Sequence, residues 1–297
     1  MVFPETSRLC WIIFSEKEHS YTHFESGNRL TGWTSLIKMY TDPFDKEGQL
    51  ICSAYKLLLG DSEYNRIVKG RFGKLYDLPQ KEVASYLSNE IKADIDSLID
   101  EINYEWEYSG INGSNFHKQL EMRSIENGFE INPFTEEECK TIVVPKEYDN
   151  QSISDNLFNL EDGFYPELLV WDNSVDQSES VVTQIDKAFI TTVGKKRYVD
   201  CDDYKTLKNK PYESKSKKML PPLDGIYDNT AEKYKMQVCF GGKLLSTFGF
   251  TPRYFGFTHY TNYDINKSKM YLAKYDENLM SKFHESWKEK LSKVKNK

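Results

Sequence analysis

Val181-Val-Thr-Gln-Ile-Asp186-Lys-Ala-Phe-Ile190 and, shortly after it, Tyr198-Val-Asp-Cys-Asp-Asp203-Tyr-Lys205-Thr206 decide how this chain is read. Both are short runs rich in β-branched and aromatic residues, and Gly194 between them suits a hairpin turn, so they predict adjacent strands. Each strand carries an acid inside an otherwise apolar pattern. Residues two apart on a strand share a face, so Asp203 and Lys205 present a carboxylate and an ammonium side by side. Hydrolysis of a phosphodiester needs a hard cation such as Mg²⁺, held by a few carboxylates, and gains from a cationic group beside the phosphate. An Asp-x-Lys tripeptide by itself is ordinary solvated charge in an acidic, lysine-rich chain, so its company decides.

Working outward, Glu167 to Trp171 predicts a further strand ahead of the pair, and Tyr254 to Thr258 one after it. Between the pair and that last strand, Thr230 to Phe248 has helical spacing. Towards the N-terminus, Leu9 to Phe14 reads as a strand or hairpin, and Thr34, Leu36, Ile37 and Tyr40 open a helical pattern that closes near Pro43. Gln80 to Glu107 places Val83, Leu87, Ile91, Ile95, Leu98 and Ile102 at helical spacing, which predicts one amphipathic helix or two. A separate helix is expected after Gly113, capped by Ser114 or Asn115 and apolar at Phe116 and Leu120. A charged helix near Asn278 to Val294 closes the chain. Helices flanking a mixed sheet predict an α/β domain.

The chain has 297 residues, 39% hydrophobic and 29% charged, enough to bury a sizeable core with a well-solvated surface. No Pro, Gly or Ser-rich linker marks a composition shift, and no internal repeat appears. We therefore expect one domain over 1–297, with a mainly helical portion at 1–105, a core at 106–265 and a terminal helix at 266–297. The formal net charge of -7 argues against a general polyanion binder. A local basic track survives it: Lys195, Lys196, Arg197, Lys205, Lys208 and Lys210 cluster in sequence, and Lys215, Lys217 and Lys218 continue the run as a track or as a solvated loop. The five cysteines are scattered without a CxxC pair, which excludes a zinc ribbon and a disulfide framework and suits a reducing cytoplasm. No long apolar run and no secretory leader pattern is present, so neither membrane insertion nor export is expected. His19, His23, His259 and His284 show no metal-ligand spacing with one another. No Gly-rich phosphate cradle appears, so no ATP is expected.

His117 on its own is an ordinary helix histidine. Taken with its neighbours, it belongs to a series. Thr31-Gly-Trp33-Thr34-Ser35-Leu-Ile37 with Pro43-Phe-Asp45, then Trp106, Gly110, Gly113, His117 and Glu121, then Pro166-Glu167, Gln184-Ile-Asp186, Asp203-Tyr204-Lys205-Thr206, and Tyr234-Lys-Met-Gln237 occur in that order. This succession resembles the motifs of the RecB-type exonuclease branch of the PD-(D/E)XK nuclease superfamily, which includes phage exonucleases and the mitochondrial genome maintenance exonuclease. The resemblance implies a restriction-endonuclease-like core and metal ligation by His117, Asp186, Asp203 and the Tyr204 carbonyl. It implies catalytic support from Lys205, and substrate contacts or bracing from Gln237, Tyr234, Thr206, Trp33, Thr34 and Ser35. Trp33 and Tyr40 lie where they would stack on a threaded strand. Glu121, one helical turn beyond His117, is placed to bind a second metal or to pair with a lysine, and Glu167 to support the site.

The cofactor implied is Mg²⁺, with Mn²⁺ able to substitute. The iron-sulfur variant is excluded because no cysteine follows Cys239. The activity implied is exonuclease action on single-stranded DNA or duplex ends in phage or mobile-element recombination, replication or repair, with replication or recombination proteins as partners. Two positions depart from the pattern: Thr183 stands where the family has Gly, and Gly241 where Tyr closes the last motif. A structure- or site-specific endonuclease on the same core, and a catalytically silent DNA-binding subunit, remain open beside the exonuclease.

Overall fold

The computed structural model describes residues 12–15, 18, 20–23, 26–75, 78–143, 151–153, 157–176, 179–207, 211, 213, 215 and 217–295, with side chains at 151–153 and 292–295 not described. Leu9, Cys10, His19, Lys208 and Lys210 lie outside the described residues. In chain order the elements are β1 (Ile12–Ser15), β2 (Ser20–His23), β3 (Arg29–Gly32), α1 (Trp33–Ile37), α2 (Lys46–Phe72), α3 (Gln80–Ile91), α4 (Asp96–Asn127), β4 (Phe129–Ile131), β5 (Glu138–Lys140) and β6 (Gln151–Ile153). They continue with β7 (Gly163–Trp171), β8 (Val181–Val193), β9 (Lys196–Asp202), β10 (Tyr204–Leu207), α5 (Thr230–Ser246), β11 (Thr251–Thr261), β12 (Ser268–Ala273) and α6 (Glu277–Lys295). The protein is α/β, with a mixed central sheet flanked by helices.

The strand β8 organises the sheet. β7 runs antiparallel along one edge, from Trp171 opposite Val182 to Gly163 opposite Ile190. The other edge is shared: β3 pairs parallel with Val181 and Val182, and β9 pairs antiparallel with Lys187 to Val193. Between these two partners the edge opens, and Asp186 closes that gap. The hairpin from β8 to β9 turns at Gly194, whose φ of 63° is the left-handed conformation that glycine tolerates. β9 and β10 follow one another along the same parallel partner, β11, with a bulge in β11 between Pro252 and Phe255 and a break at Asp203, whose carbonyl accepts from Thr258 N–H at 2.8 Å.

Alternation along β11 assigns the two faces. Phe255 and Phe257 turn to α5, where Gly242 lies against the Phe255 ring and Tyr234 against Phe257. Tyr260 turns the other way and joins Tyr204, Phe116 and Leu120 under α4. The glycines let α5 sit low on the sheet. A Cβ on Gly242 would run into Phe255 ring carbons. Gly242→Ala is therefore expected to destabilise the fold by about 1–2 kcal/mol, overpacking outweighing the gain in helix propensity, as urea unfolding would show.

Several sequence expectations need correction. No helix starts after Gly113; α4 is continuous from Asp96 to Asn127. Gly113 lies in its interior because the helix crosses β10 closely there, and a Cβ would stand 3.0 Å from Thr206 Oγ1. The portion 1–105 is not simply helical, since β1, β2 and β3 extend the central sheet and the boundary cuts α4. The end of the chain adds a strand, β12, paired antiparallel with β11 ahead of α6. The helices α2, α3 and the first turns of α4 enclose their own apolar cluster around Tyr55, Leu87 and Ile102, apart from the core of the sheet.

A buried pair fastens α6 to the end of β7: His284 Nε2 lies 2.6 Å from Asp172 Oδ2. The Ser174 N–H and hydroxyl donate to Asp172 Oδ1 at 2.8 and 2.7 Å. Burial alone would raise the Asp172 carboxyl, but the hydrogen bonds from His284 and Ser174 outweigh it and hold the group below the ordinary carboxylate value. A depressed folded-state value adds stability above the unfolded value and loses it as pH falls through the folded one. Denaturant titrations are expected to show this loss below about pH 4, and Asp172→Asn should remove that part of the acid dependence.

Candidate metal centre

Each side chain at the opening of the β8 edge arrives from a different element. Asp186 is buried near the middle of β8, and its Oδ2 accepts the Tyr204 N–H at 2.7 Å, which ties the start of β10 to β8. His117 descends from α4 and places Nδ1 3.5 Å from the same Oδ2, its ring edge-on to Tyr204. Glu167 comes from β7, between Pro166, opposite Lys187, and Leu168, opposite Ile185. His117, Glu167 and Asp186 each offer a ligand atom, and these atoms all lie within 4.8 Å of one another.

The backbone at Glu167 is unusual. Its φ is 51°, a left-handed conformation inside a strand at a residue that is not glycine. Such strain costs on the order of 1–3 kcal/mol and persists where the surroundings impose it, most often at functional sites. Here the neighbouring strand helps to impose it, because the Gln184 carboxamide donates to the Glu167 carbonyl at 3.3 Å.

Asp203 and Lys205 stand beside this trio as the strand alternation predicts. Lys205 Nζ is ion-paired with Asp203 Oδ2 and lies 4.8 Å from the centre of the Tyr234 ring. Burial would lower the Lys205 ammonium, but Asp203 and Asp186 more than compensate and keep it charged. Burial, then the adjacent Asp186, pushes the Asp203 carboxyl up to about 7. Asp186 is also raised by burial, against the pull of Lys205, a hydrogen bond with Asp203 and the Tyr204 N–H. Burial, reinforced by Lys205, lowers His117 to about 4, so its imidazole is neutral near pH 7, the form that ligates metals.

The other expected residues sort themselves by burial. Glu167, expected as a support, is one of the trio, whereas Asp203 and Glu121, expected as ligands, fall outside it. Tyr204 meets Asp186 through its N–H. Thr206 faces Gly113, and Tyr234 and Gln237 sit one turn apart on the partly exposed side of α5. Thr34 and Ser35 are exposed at the start of α1. Trp33 and Tyr40, expected to stack on a threaded strand, point into the core: Trp33 is buried against Phe240 and Phe283, and Tyr40 is buried with its hydroxyl on Ser286. Asp45 of the Pro43-Phe-Asp45 segment is the N-cap of α2, accepting the Gly48 N–H at 2.9 Å.

The two departures from the nuclease pattern are neighbours. A Cβ on Gly241 would come within 2.8 Å of Ile185 and 3.8 Å of Thr183 Cγ2. Ile185, not Thr183, is therefore the side chain that closes the space at Gly241, with Thr183 at ordinary contact distance beside it.

Sequence reading missed Lys187. It is buried, with Nζ 3.1 Å from Glu130 Oε1 and 3.9 Å from Asp202 Oδ2, and it lies over the Tyr204 ring. Burial raises Asp202 to about 6 against the pull of Lys187. This second layer steadies Tyr204 from behind the trio. Only the closeness of Lys187 to Asp186 in sequence hinted at it.

No family model and no curated protein matches the chain. Its functional reading rests on the residues and their geometry.

Proposed function

We propose that the chain is a Mg²⁺-dependent nuclease of the PD-(D/E)XK type, hydrolysing phosphodiester bonds of DNA, and that it acts as an exonuclease on single strands or duplex ends. The observation that carries this reading is the convergence of a neutral imidazole and two carboxylates, one on a strained backbone, beside a buried carboxylate–ammonium pair. The sheet order around β8 and the flanking α4 and α5 are compatible with the core that the motif order implies.

The residues fit a divalent metal. His117, Glu167 and Asp186 would hold it, a nitrogen and two carboxylate oxygens, a set that Mg²⁺ or Mn²⁺ accepts. Burial raises the carboxyls of Asp186 and Asp203 even with Lys205 beside them, and a divalent cation at this point would favour their charged forms. The metal, when bound, supplies Lewis-acid polarisation of a phosphoryl oxygen and acidifies water. Lys205, held charged by Asp203, stabilises negative charge developing on the phosphate, and Asp203 fixes its direction. The Tyr204 N–H keeps Asp186 oriented, and the Tyr234 ring limits the freedom of Lys205. The net charge of the chain leaves DNA affinity to local basic groups.

A Mg²⁺ titration on single-stranded, blunt-ended and closed circular DNA tests the proposal. Mg²⁺-dependent release of nucleotides from linear DNA, with the circle intact, is the expected result. Cleavage of the circle would replace the exonuclease with an endonuclease. Binding that survives EDTA, with no product at any Mg²⁺ concentration, would leave a silent DNA-binding subunit.

A further inference from the structure

The middle of α4 crosses open solvent. Ile102 is buried in the helical cluster and Phe116 under the sheet, yet every residue from 104 to 111 is exposed. That stretch exceeds two helical turns, so every side of the helix carries exposed residues, and the Tyr263 hydroxyl, donating to the Ser109 carbonyl at 3.1 Å, touches it at one point. It is not a polar bridge. Tyr104 is 68% and Ile111 59% exposed, and Tyr104 and Tyr108 lie nearly parallel, 6.1 Å between ring centres. Trp106 leans on exposed Phe44, 6.4 Å away. Large apolar and aromatic side chains gathered in water mark interaction surfaces.

The charge of this span identifies the partner. Between Lys92 and Lys118 there is no lysine or arginine, while Asp94, Asp96, Asp100, Glu101, Glu105 and Glu107 fall in the same stretch. Phosphates are repelled from such a face, and cations are drawn to it. Ammonium and guanidinium groups pair with carboxylates and lie over aromatic rings, and their aliphatic stems cover apolar area. We propose that residues 104–111 of α4 form a docking face for a lysine- and arginine-rich segment of a partner protein. The inference stands apart from the nuclease reading, since it uses none of the residues of the candidate metal centre.

Fluorescence anisotropy with the full chain in EDTA tests it, using a labelled peptide of alternating arginine and leucine, its glutamate counterpart, and labelled oligothymidine. The arginine peptide is expected to bind and the glutamate peptide not. Tyr104→Ala with Tyr108→Ala, and separately Glu105→Gln with Glu107→Gln, should each weaken that binding about tenfold, as truncating interface anchors does. Circular dichroism should be unchanged, because these side chains are exposed. Absence of binding, or equal binding by both double variants, would overturn the inference. Oligothymidine binding that falls in the tyrosine variant would assign the face to nucleic acid instead. Because no metal is present, neither result depends on cleavage.

Discussion

Asp186→Ala is expected to reduce Mg²⁺-dependent DNA cleavage by about a thousandfold while leaving the protein folded. The size of the effect follows from the two tasks of this side chain. Its Oδ2 stands 3.5 Å from His117 Nδ1, within the trio, and accepts the Tyr204 N–H at 2.7 Å. Alanine removes a carboxylate from the proposed metal set and frees the start of β10 at once. The cost in stability has two opposing parts: the Tyr204 N–H loses its acceptor, at about 1–3 kcal/mol, while a buried carboxyl whose ionisation is opposed by its surroundings is removed. Thermal melts separate the two effects. Mg²⁺ should raise the melting temperature of the parent, as any ligand of the native state does, and leave that of Asp186→Ala unmoved. A variant that melts higher with Mg²⁺ and cleaves at the parental rate would remove Asp186 from the metal set.

The pair of strands bearing Asp186 and Asp203 was legible because strand alternation and a hairpin glycine are local rules. They place Lys205 next to Asp203 without knowledge of the rest of the chain. Glu167 was readable as a nearby acid, but not as a residue in left-handed conformation. That geometry goes with a tertiary contact, the Gln184 carboxamide on the Glu167 carbonyl, and the residue type itself disfavours it. Gly113 misled for the opposite reason. Glycine is a poor helix former, so it reads as a boundary, yet its missing side chain is what lets α4 pass over Thr206 and carry His117 to Asp186.

Trp33 and Tyr40 show the same limit. An aromatic beside a nucleic-acid site suggests stacking, whereas here the rings contribute more by removing apolar area from water against α5 and α6. Thr183 and Gly241 look like separate departures in sequence and become neighbours in three dimensions. A reverse exchange of only one of them, such as Gly241→Tyr, has no room beside Ile185.

Lys205→Met should also suppress cleavage, by at least about a hundredfold, but through a different step that metal binding reveals. Methionine keeps much of the aliphatic volume under Tyr234 and removes the ammonium ion-paired with Asp203. The two neighbouring buried carboxyls, Asp186 and Asp203, then lose the ammonium that draws both down, and a divalent cation would replace its charge. The variant should therefore bind Mg²⁺ at least as tightly as the parent, so that its melting temperature rises with Mg²⁺ by as much or more, while its turnover falls. Asp186→Ala loses metal and rate together; Lys205→Met keeps the metal and loses the rate. If calorimetry instead finds Mg²⁺ binding abolished in Lys205→Met with the fold intact, the ammonium helps to build the metal site, and its proposed role beside the phosphate falls.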